Sequence, residues 1–239
     1  MITPQDKRET RLYVIGDIHG RLDLLNELLE KIHHDIRQFP SHECLTVTLG
    51  DYVDRGPDSR GVLDCLSRNP FPTQYMALKG NHEELLEMFL VEPRSFSSWR
   101  RLGGLETLHS YGVSVSPLMM GERFDEASRA LQAALPPEHL QFLASLKTFV
   151  VFDRYFLCHA GVRPGIALER QRVDDLLWIR DEFLNSNADF GKIVIHGHTP
   201  VDEPEIKQNR INIDTGAYAT GRLTCLVLQG EEKRFLSTK

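Results

Sequence analysis

Residues 12–20 read LYVIGDIHG, and this stretch decides the fold because it joins an apolar run to a glycine, an aspartate and a histidine. The apolar run predicts a buried β-strand, and apolar residues at helical spacing follow between Leu22 and Ile36. The same succession of strand, glycine-containing loop and helix returns at residues 44–66 and 75–90. Repeated units of this kind predict a largely parallel sheet, in which ligands bind at the carboxyl ends of the strands.

Two further regions follow these units. Residues 92–146 contain SFSSW at 95–99, a glycine pair at 103–104 and two helical patterns, and we interpret them as a helical insertion or lid. The last third is rich in predicted strands, at residues 148–152, 155–158, 192–195, 210–213 and 223–228, with one helix near residues 175–183. We therefore predict an α/β fold of two sheets packed face to face with helices outside, forming a single domain over residues 1–239.

The composition excludes several classes of protein. The chain has 239 residues, of which 41% are hydrophobic and 26% charged, as in ordinary globular domains. Its formal net charge of −6 argues against a nucleic-acid binder, and no apolar run approaches the ~20 residues of a membrane-spanning helix. The polar stretch MITPQDKRETR lacks the apolar core of a secretory signal, and the four cysteines show no CxxC spacing. We expect a cytoplasmic enzyme with no membrane or nucleic-acid partner, and the oligomeric state is left open.

Five short motifs follow predicted strands, and each one places a glycine beside polar side chains. They are GDIHG at 16–20, GDYVDRG at 50–56, GNHE at 80–83, HAG at 159–161 and GHT at 197–199. Glycine allows sharp turns, so each motif can direct a polar side chain from a strand end into a shared space. The pooled candidates offer carboxylate, amide and imidazole ligands but no thiolate: Asp17, His19, Asp51, Asn81, His159 and His198.

This mixture of oxygen and nitrogen ligands predicts a metal site and suits manganese, iron or zinc better than calcium. Six ligands exceed what one ion with an open position needs. Two ions ~3.5–4 Å apart, as in two-metal hydrolytic sites, would use them all if one carboxylate bridges the pair. Asp51 is the expected bridge because its motif lies between the others in the chain. We therefore expect two divalent metal ions, with Mn²⁺ as the first choice and Fe or Zn as alternatives.

The five motifs resemble those of the phosphoprotein phosphatase family, in particular its bacterial and phage-type serine/threonine protein phosphatases, within the calcineurin-like metallophosphoesterases. The resemblance extends from Arg11 to about Gly230, and the set GDIHG, GDYVDRG and GNHE is highly specific. It implies a four-layer α/β/β/α fold, with a dinuclear metal centre between the ends of two central mixed sheets. One ion would be held by Asp17, His19 and Asp51, and the other by Asp51, Asn81, His159 and His198.

The same resemblance implies four further roles. Arg55 would bind two phosphate oxygens through its guanidinium fork. His82 would act as the general acid that protonates the leaving oxygen, with Asp54 holding its ring. A second phosphate-binding arginine is expected in a Trp-x-Arg stretch, where Arg180 is preferred over its neighbours in the sequence, Arg163 and Arg172. The implied reaction has one step: a hydroxide that bridges the metal ions attacks phosphorus, and no phosphoenzyme forms.

Two enzymatic functions fit these motifs. The preferred one is a metal-dependent phosphomonoesterase, specifically a serine/threonine protein phosphatase that acts on a phosphoprotein or phosphopeptide. The alternative is a symmetrical bis(5'-nucleosyl)-tetraphosphatase, which hydrolyses diadenosine tetraphosphate with the same metal site. That branch usually carries Gly-Asn-His-Asp and Gly-His-Trp and lacks the second aspartate of the Asp-x-x-Asp-Arg-Gly motif, whereas this chain has Glu83, Thr199 and Asp54. A binding module that has lost catalysis would be expected to miss a ligand or the acid, and none is missing.

The other polar residues have less specific interpretations. Most other histidines are expected at the surface, namely His33, His34, His42, His109 and His139. His196 is expected to be a supporting or structural neighbour of His198, and Glu83 to begin a helix, where an acidic side chain favours the N-terminal dipole. Asp214 could hydrogen-bond a metal-binding histidine. Residues 99–112 either shape the substrate mouth or pack as part of the insertion.

Overall fold

Two five-stranded sheets form the centre of the fold in the computed structural model, which describes residues 10–41 and 43–239. The strands are β1 (Arg11–Ile15), β2 (Cys44–Thr48), β3 (Gln74–Ala77), β4 (Phe149–Phe152), β5 (Tyr155–Cys158), β6 (Ile193–His196), β7 (Glu205–Ile206), β8 (Arg210–Asn212), β9 (Thr224–Gln229) and β10 (Glu232–Ser237). The first sheet has the order β10-β9-β1-β2-β3, and the second has the order β4-β5-β6-β8-β7. Both sheets are mixed, because β1–β2–β3 and β5–β6–β8 pair in parallel while the other pairs are antiparallel.

The first three strands are each followed by a helix, as predicted: α1 (Leu22–Gln38), α2 (Ser59–Leu66) and α3 (Asn81–Val91). Residues 92–146 contain five α-helices: α4 (Phe96–Arg100), α5 (Gly104–Ser110), α6 (Ser116–Met119), α7 (Phe124–Ala134) and α8 (Pro137–Ser145). Three short helices lie in the second half: α9 (Val173–Trp178), α10 (Asp181–Leu184) and α11 (Ala217–Thr220). None of these helices, within the described ranges, is long and apolar enough to cross a lipid bilayer.

The alternation of side chains along β1 separates the layers of the fold. Leu12 and Val14 point into an apolar core between the two sheets, while Tyr13 and Ile15 point outward against α1, α2 and the helices of residues 92–146. On the far side of the second sheet, residues such as Cys158 of β5 pack against α9 and α10. The resulting order of helices, sheet, sheet and helices confirms the predicted four-layer α/β/β/α fold.

The second half differs from the prediction in two respects. The single helix expected near residues 175–183 is two helices, because the backbone leaves helical geometry at Ile179 (ψ 142°) and Arg180 (φ −130°, ψ −101°). The apolar pattern continues across this break and therefore conceals it. The edge strands β7 and β10 were not predicted, because β7 has only two residues and β10 begins with the charged run 232–234, as is common at exposed sheet edges.

Candidate active site

The loops that follow β1, β2, β3, β5 and β6 meet at one end of the sheets and carry the predicted ligands. These side chains belong to residues that are 5% exposed or less: Asp17, His19, Asp51, Asn81, His159 and His198. Burying so many polar groups in one place is costly unless they find partners. The structure thus brings together all six residues that the sequence selected.

Asp51 lies at the centre of this cluster. Potential ligand atoms of His19, Asp51 and His82 lie within 4.8 Å of one another, and so do those of Asp51, His159 and His198. The two carboxylate oxygens of Asp51 face opposite sides, because Oδ2 lies 3.5 Å from His19 Nε2 whereas Oδ1 lies 3.3 Å from His159 Nε2. Asp51 is therefore the one residue common to both groups, which is the arrangement that a bridging carboxylate requires.

Two of the histidines are oriented by backbone carbonyls. The Nδ1 atom of His19 lies 2.9 Å from the Val53 carbonyl oxygen, and the Nδ1 atom of His159 lies 3.0 Å from that of Leu49. An imidazole that donates Nδ1–H to a carbonyl has its other nitrogen free as a ligand. In both residues that free nitrogen, Nε2, is the atom that faces Asp51.

Asn81 completes the second group. Its Oδ1 atom lies 2.9 Å from His159 Nε2 and 2.8 Å from His198 Nδ1, and these two nitrogens are 3.1 Å apart. An amide oxygen and two imidazole nitrogens thus converge on one small volume. This set of ligand atoms matches the borderline transition-metal ions rather than calcium.

Asp17 and His198 each have a buried polar atom whose environment suits a bound cation. The Asp17 Oδ2 atom accepts a hydrogen bond from the His198 backbone N–H at 3.0 Å, but Oδ1 is buried without a partner, as is Nε2 of His198. An unsatisfied buried oxygen of a carboxylate costs more than about 1–3 kcal/mol. The orphaned oxygen, together with the converging donors, fits a site that binds divalent cations.

The backbone of the cluster is strained. Five non-glycine residues have positive φ angles of 46–72°, a conformation that few such residues adopt: His19, Asp51, Asp54, Arg55 and His198. Each costs on the order of 1–3 kcal/mol, and such residues concentrate at functional sites. Two glycines are required for close approach, since a Cβ on Gly80 would lie 2.1 Å from Asp51 Oδ1 and one on Gly197 would lie 2.1 Å from Asp17 Oδ1.

His82 is held by a fully buried Asp54. The His82 Nδ1 atom lies 2.7 Å from Asp54 Oδ2, which also accepts a hydrogen bond from Trp99 Nε1 at 2.7 Å. The other oxygen, Oδ1, accepts from Thr107 Oγ1 at 2.6 Å. Residues 99–112 are therefore packed into the site as the support of Asp54, which favours the packing interpretation of this stretch.

The arginines near the site differ in their partners. Arg55 Nη2 lies 3.3 Å from His82 Nε2, and the exposed Arg180 donates to Thr199 Oγ1 at 3.0 Å. Neither guanidinium forms an ion pair with a carboxylate of the described residues. Both alternatives to Arg180 are ion-paired, because Arg163 binds Asp175 and Glu182, and Arg172 binds Asp174. Of these three arginines, Arg180 alone has no carboxylate partner among the described residues.

A family comparison agrees with this geometry. Residues 10–223 match the family model for calcineurin-like phosphoesterases. The chain belongs to this family. The resemblance seen in the sequence is thereby confirmed, and so is hydrolase chemistry. The family uses a dinuclear metal centre, and two groups of histidine and aspartate side chains in this chain could each hold a metal ion.

Individual relatives of this calcineurin-like phosphoesterase divide by substrate. Serine/threonine-protein phosphatase 2 of Escherichia coli (strain K12) is 29% identical over 89% of this chain and 90% of its own. The asymmetrical bis(5'-nucleosyl)-tetraphosphatase PrpE of Halalkalibacterium halodurans is 26% identical over 89% of this chain and 88% of its own. A crystal structure of a protein provisionally assigned as a diadenosine tetraphosphatase superimposes with a TM-score of 0.64 at 21% identity, covering 97% of this chain and 95% of that one, which shows the shared fold.

The protonation of the calcineurin-like phosphoesterase site follows from burial and crowding. Burial lowers the pKa of His19 to about 3 and, with the neighbouring His159, that of His198 to about 2, so both are neutral as metal ligands must be. Burial and repulsion by Asp214 raise the pKa of Asp17 well above its ordinary value. Burial alone would also raise the pKa of Asp51, but the imidazoles of His159 and His82 hold it well below its usual range.

Glu83 has a function that the sequence reasoning missed. It does begin α3, as predicted, but its fully buried carboxylate also accepts hydrogen bonds from the backbone N–H groups of Asp51, Tyr52, Val53 and Gly80, at 2.7–3.3 Å. These bonds offset the strain of the loop that carries Asp51. Burial and the nearby Asp51 raise the pKa of Glu83 to about 7. The spacing of GNHE was the available signal, since a capping carboxylate at the third helical position faces back along the chain.

Three other expectations are settled by the structure. Asp214 forms no hydrogen bond to a histidine of the described residues, and its Oδ1 accepts from the Gly216 N–H at 2.9 Å. His196, for which a supporting or structural role is expected, is buried and lies 3.3 Å from Arg210 Nη1 through Nε2. The surface prediction for His139 is wrong: its ring is buried between Tyr111 Oη at 2.7 Å and Asp64 at 3.1 Å. His34 and His109 are exposed and His33 is half-buried, while His42 lies outside the described residues.

Proposed function

We propose that this calcineurin-like phosphoesterase is a serine/threonine protein phosphatase that hydrolyses phosphate monoesters in one step. The observation that carries the proposal is the Asp54–His82 pair. The His82 Nε2 atom lies 3.7 Å from Oδ2 of Asp51, which is shared by both candidate metal groups, and 3.3 Å from Arg55 Nη2. Arginines without acidic partners suit a terminal, doubly charged phosphoryl group. They therefore favour a phosphate monoester over a phosphodiester as the substrate.

The metal ligands are assigned from the contacts described above. Asp17, His19 and Asp51 would hold one divalent cation, and Asp51, Asn81, His159 and His198 would hold the other. Two such ions supply Lewis-acid chemistry and lower the pKa of water, so that a nucleophile is present at neutral pH. Mn²⁺ is the first choice, with Fe or Zn as alternatives, since the donors are oxygen and nitrogen.

His82 is assigned as the general acid rather than as a ligand. Its Nδ1 is engaged by Asp54, so Nε2 is the atom that carries the transferable proton, and this atom faces Arg55 at 3.3 Å. Burial alone would lower the pKa of His82, but the carboxylates of Asp51 and Asp54 hold it above its ordinary value. A raised pKa favours the protonated imidazole that a general acid needs in order to donate to the departing serine or threonine oxygen.

Arg55 and Arg180 bind the phosphoryl oxygens in this proposal. A guanidinium fork matches two oxygens of a phosphate, and its charge offsets the charge that develops in the transition state. Arg180 is exposed and sits at the break between α9 and α10. Trp178, whose Nε1 donates to Glu84 at 2.6 Å, ties this break to α3.

A protein substrate is favoured by two observations. The Escherichia coli phosphatase is 29% identical to this chain, against 26% for the Halalkalibacterium halodurans relative over the same share of the chain. The sequence also has Asp54 and the Gly-Asn-His-Glu motif of the protein phosphatases. The test is phosphate release from a phosphothreonine peptide with added Mn²⁺. No release from the peptide by metal-loaded protein that does hydrolyse another phosphate ester would contradict the protein-phosphatase assignment.

Dinucleotide hydrolysis is the second candidate, because relatives named asymmetrical bis(5'-nucleosyl)-tetraphosphatase cover as much of the chain. The symmetrical reaction was the alternative drawn from the sequence. Diadenosine tetraphosphate separates the two, since symmetrical cleavage gives two ADP molecules and asymmetrical cleavage gives ATP and AMP. A preference of tenfold or more for the dinucleotide over the phosphopeptide would reverse our ranking.

A further inference from the structure

Tyr218 lies beside the phosphate-binding arginine and belongs to none of the five motifs. It sits on the single-turn helix α11, between Gly216 (φ 65°) and Gly221 (φ 72°). The Ala217 carbonyl oxygen at the start of this turn accepts a hydrogen bond from Arg21 Nη1 at 3.0 Å. The turn is thus fixed to the loop after β1, and the Tyr218 side chain remains 38% exposed.

The ring of Tyr218 touches two parts of the site. The Arg55 guanidinium carbon lies 4.6 Å from the ring centroid, which is within the range of a cation–π contact. The ring also meets His19 edge-on, with centroids 5.4 Å apart and an interplanar angle of 84°. Tyr218 therefore joins a metal-binding histidine to the arginine that faces the substrate.

Arg55 has little else to hold it. Its backbone has a positive φ of 66°, and within residues 10–41 and 43–239 its guanidinium has one polar contact, from Nη2 to His82 Nε2 at 3.3 Å. Other half-buried or buried arginines of the described chain are held by carboxylates, as in the pairs Arg163–Asp175, Arg210–Glu205 and Arg234–Asp35. A carboxylate would occupy the N–H donors that a phosphate needs, whereas an aromatic face stabilises the cation and leaves those donors free.

We propose that Tyr218 is a positioning residue that holds the Arg55 guanidinium in place for the phosphoryl group without competing for its N–H donors. The proposal rests on the proposed function, in which Arg55 binds phosphate. It predicts that the aromatic ring is the part that matters and that the hydroxyl is dispensable. It also predicts that the effect of the ring disappears when Arg55 is absent.

The experiment compares Y218L, Y218F, R55A and the double variant R55A/Y218L with the wild type, all loaded with Mn²⁺. p-Nitrophenyl phosphate is the substrate, since its good leaving group reduces the need for His82, and inorganic phosphate is the competitive inhibitor. We expect Y218L to lower kcat/KM and to weaken phosphate inhibition by about 3- to 30-fold, the range of a cation–π contact. Y218F should remain within about twofold of the wild type, because the ring face is retained. Y218L should cause no further loss in the R55A background.

Each outcome has a separate meaning. If R55A leaves phosphate inhibition unchanged, the role of Arg55 in the proposed function is wrong. If R55A impairs it and Y218L does not, the role of Tyr218 is wrong. Equal losses from Y218L with and without Arg55, or a lower metal content in Y218L, would show that the ring acts through His19 and would also overturn the proposal. Should Y218L fail to fold by circular dichroism, Y218M and Y218Q test the same loss of the ring.

Discussion

Two buried clusters of charge in this molecule have opposite properties. The first surrounds Asp35 on α1, which is 4% exposed and accepts hydrogen bonds from Tyr13 Oη and Arg234 Nη2, each at 2.7 Å. Arg11 lies 3.6 Å away and donates to the Gln229 side chain as well. The second is the cluster around Asp51, where Asp17, Asp214 and Glu83 are also buried and one Asp17 oxygen has no partner.

The pKa values express the same difference. Burial alone would raise the pKa of Asp35, but the hydrogen bonds from Arg234 and Tyr13 hold it below its ordinary value. At Asp17, burial and the neighbouring Asp214 act in the same direction and raise the pKa. A buried carboxylate that the chain itself neutralises is costly to remove, because its partners would be left buried and unpaired. Acids that are buried together without enough cations instead mark a site that binds a cation.

The largest effect on activity should come from replacing His82, the assigned general acid beside the second cluster. His82→Asn should lower kcat on a phosphothreonine peptide by about 10²–10⁴-fold, because the leaving oxygen loses its proton donor. Metal content by mass spectrometry and the Tm should stay near the wild-type values. His34→Asn, at an exposed position on α1, is the matched control and should keep full activity. Full turnover by the His82 variant would contradict the assigned role.

Breaking the cluster around Asp35 should lower the stability of the protein and leave its activity unchanged. Asp35→Ala leaves Arg234 and the buried Arg11 without their carboxylate, and removal of one partner from a buried pair costs about 3–5 kcal/mol. The free energy of unfolding, measured in urea, should fall by this order, while kcat/KM of the folded fraction stays unchanged. A loss of activity at constant stability would mean that the two clusters are not independent.

The sequence indicated the ligands of the second cluster but not its supports. Asp17, Asp51, His159 and His198 could be predicted because each stands in a short motif at the end of an apolar run. Trp99 and Thr107 could not, because they lie 45 and 53 residues from the Asp54 that they hold and no local pattern connects them. Arg180 was selected by its motif, yet the helix break that presents it is invisible in an unbroken apolar pattern.

The Asp35 cluster was missed altogether. Its members come from β1, α1 and β10, and β10 was not recognised as a strand because its charged residues obscure the alternation. Arg234 pairs with an acid 199 positions earlier, a distance over which sequence spacing carries no information. Local periodicity predicts elements well, whereas pairings between distant elements depend on the finished packing.

Metal binding should distinguish the Asp51 cluster from the Asp35 cluster by a stability effect of intermediate size. A ligand present at 100 times its Kd stabilises a folded protein by about 2.7 kcal/mol, so Mn²⁺ should raise the Tm of chelator-treated protein. Asp51→Asn should reduce this shift, because both groups share that carboxylate. Asp35→Asn should keep it despite a lower starting Tm. An equal Mn²⁺ response in all three proteins would place the cation elsewhere.

The smallest effect concerns acid stability. Because the pKa of Asp35 is lower in the folded than in the unfolded chain, the unfolded state takes up the proton first as the pH falls. The stabilisation is thus present above the unfolded value of about 3.9 and is lost as the pH falls through the folded pKa. Urea unfolding from pH 6 to pH 2.5 should show a shallower decline for Asp35→Asn than for the wild type. Parallel curves would contradict the pairing of Asp35.

The support of Asp54 by α4 and α5 has a dynamic consequence. Both oxygens of this carboxylate are occupied by donors from residues 92–146, so an excursion that lifts these two helices would release the imidazole to rotate while every ligand of the cation site stays in place. We therefore expect local opening of residues 96–110 to lower turnover through His82, since Trp99 and Thr107 of this segment donate to Asp54. Relatives with a different segment in place of residues 96–110 would need two other donors to Asp54 to keep His82 aligned.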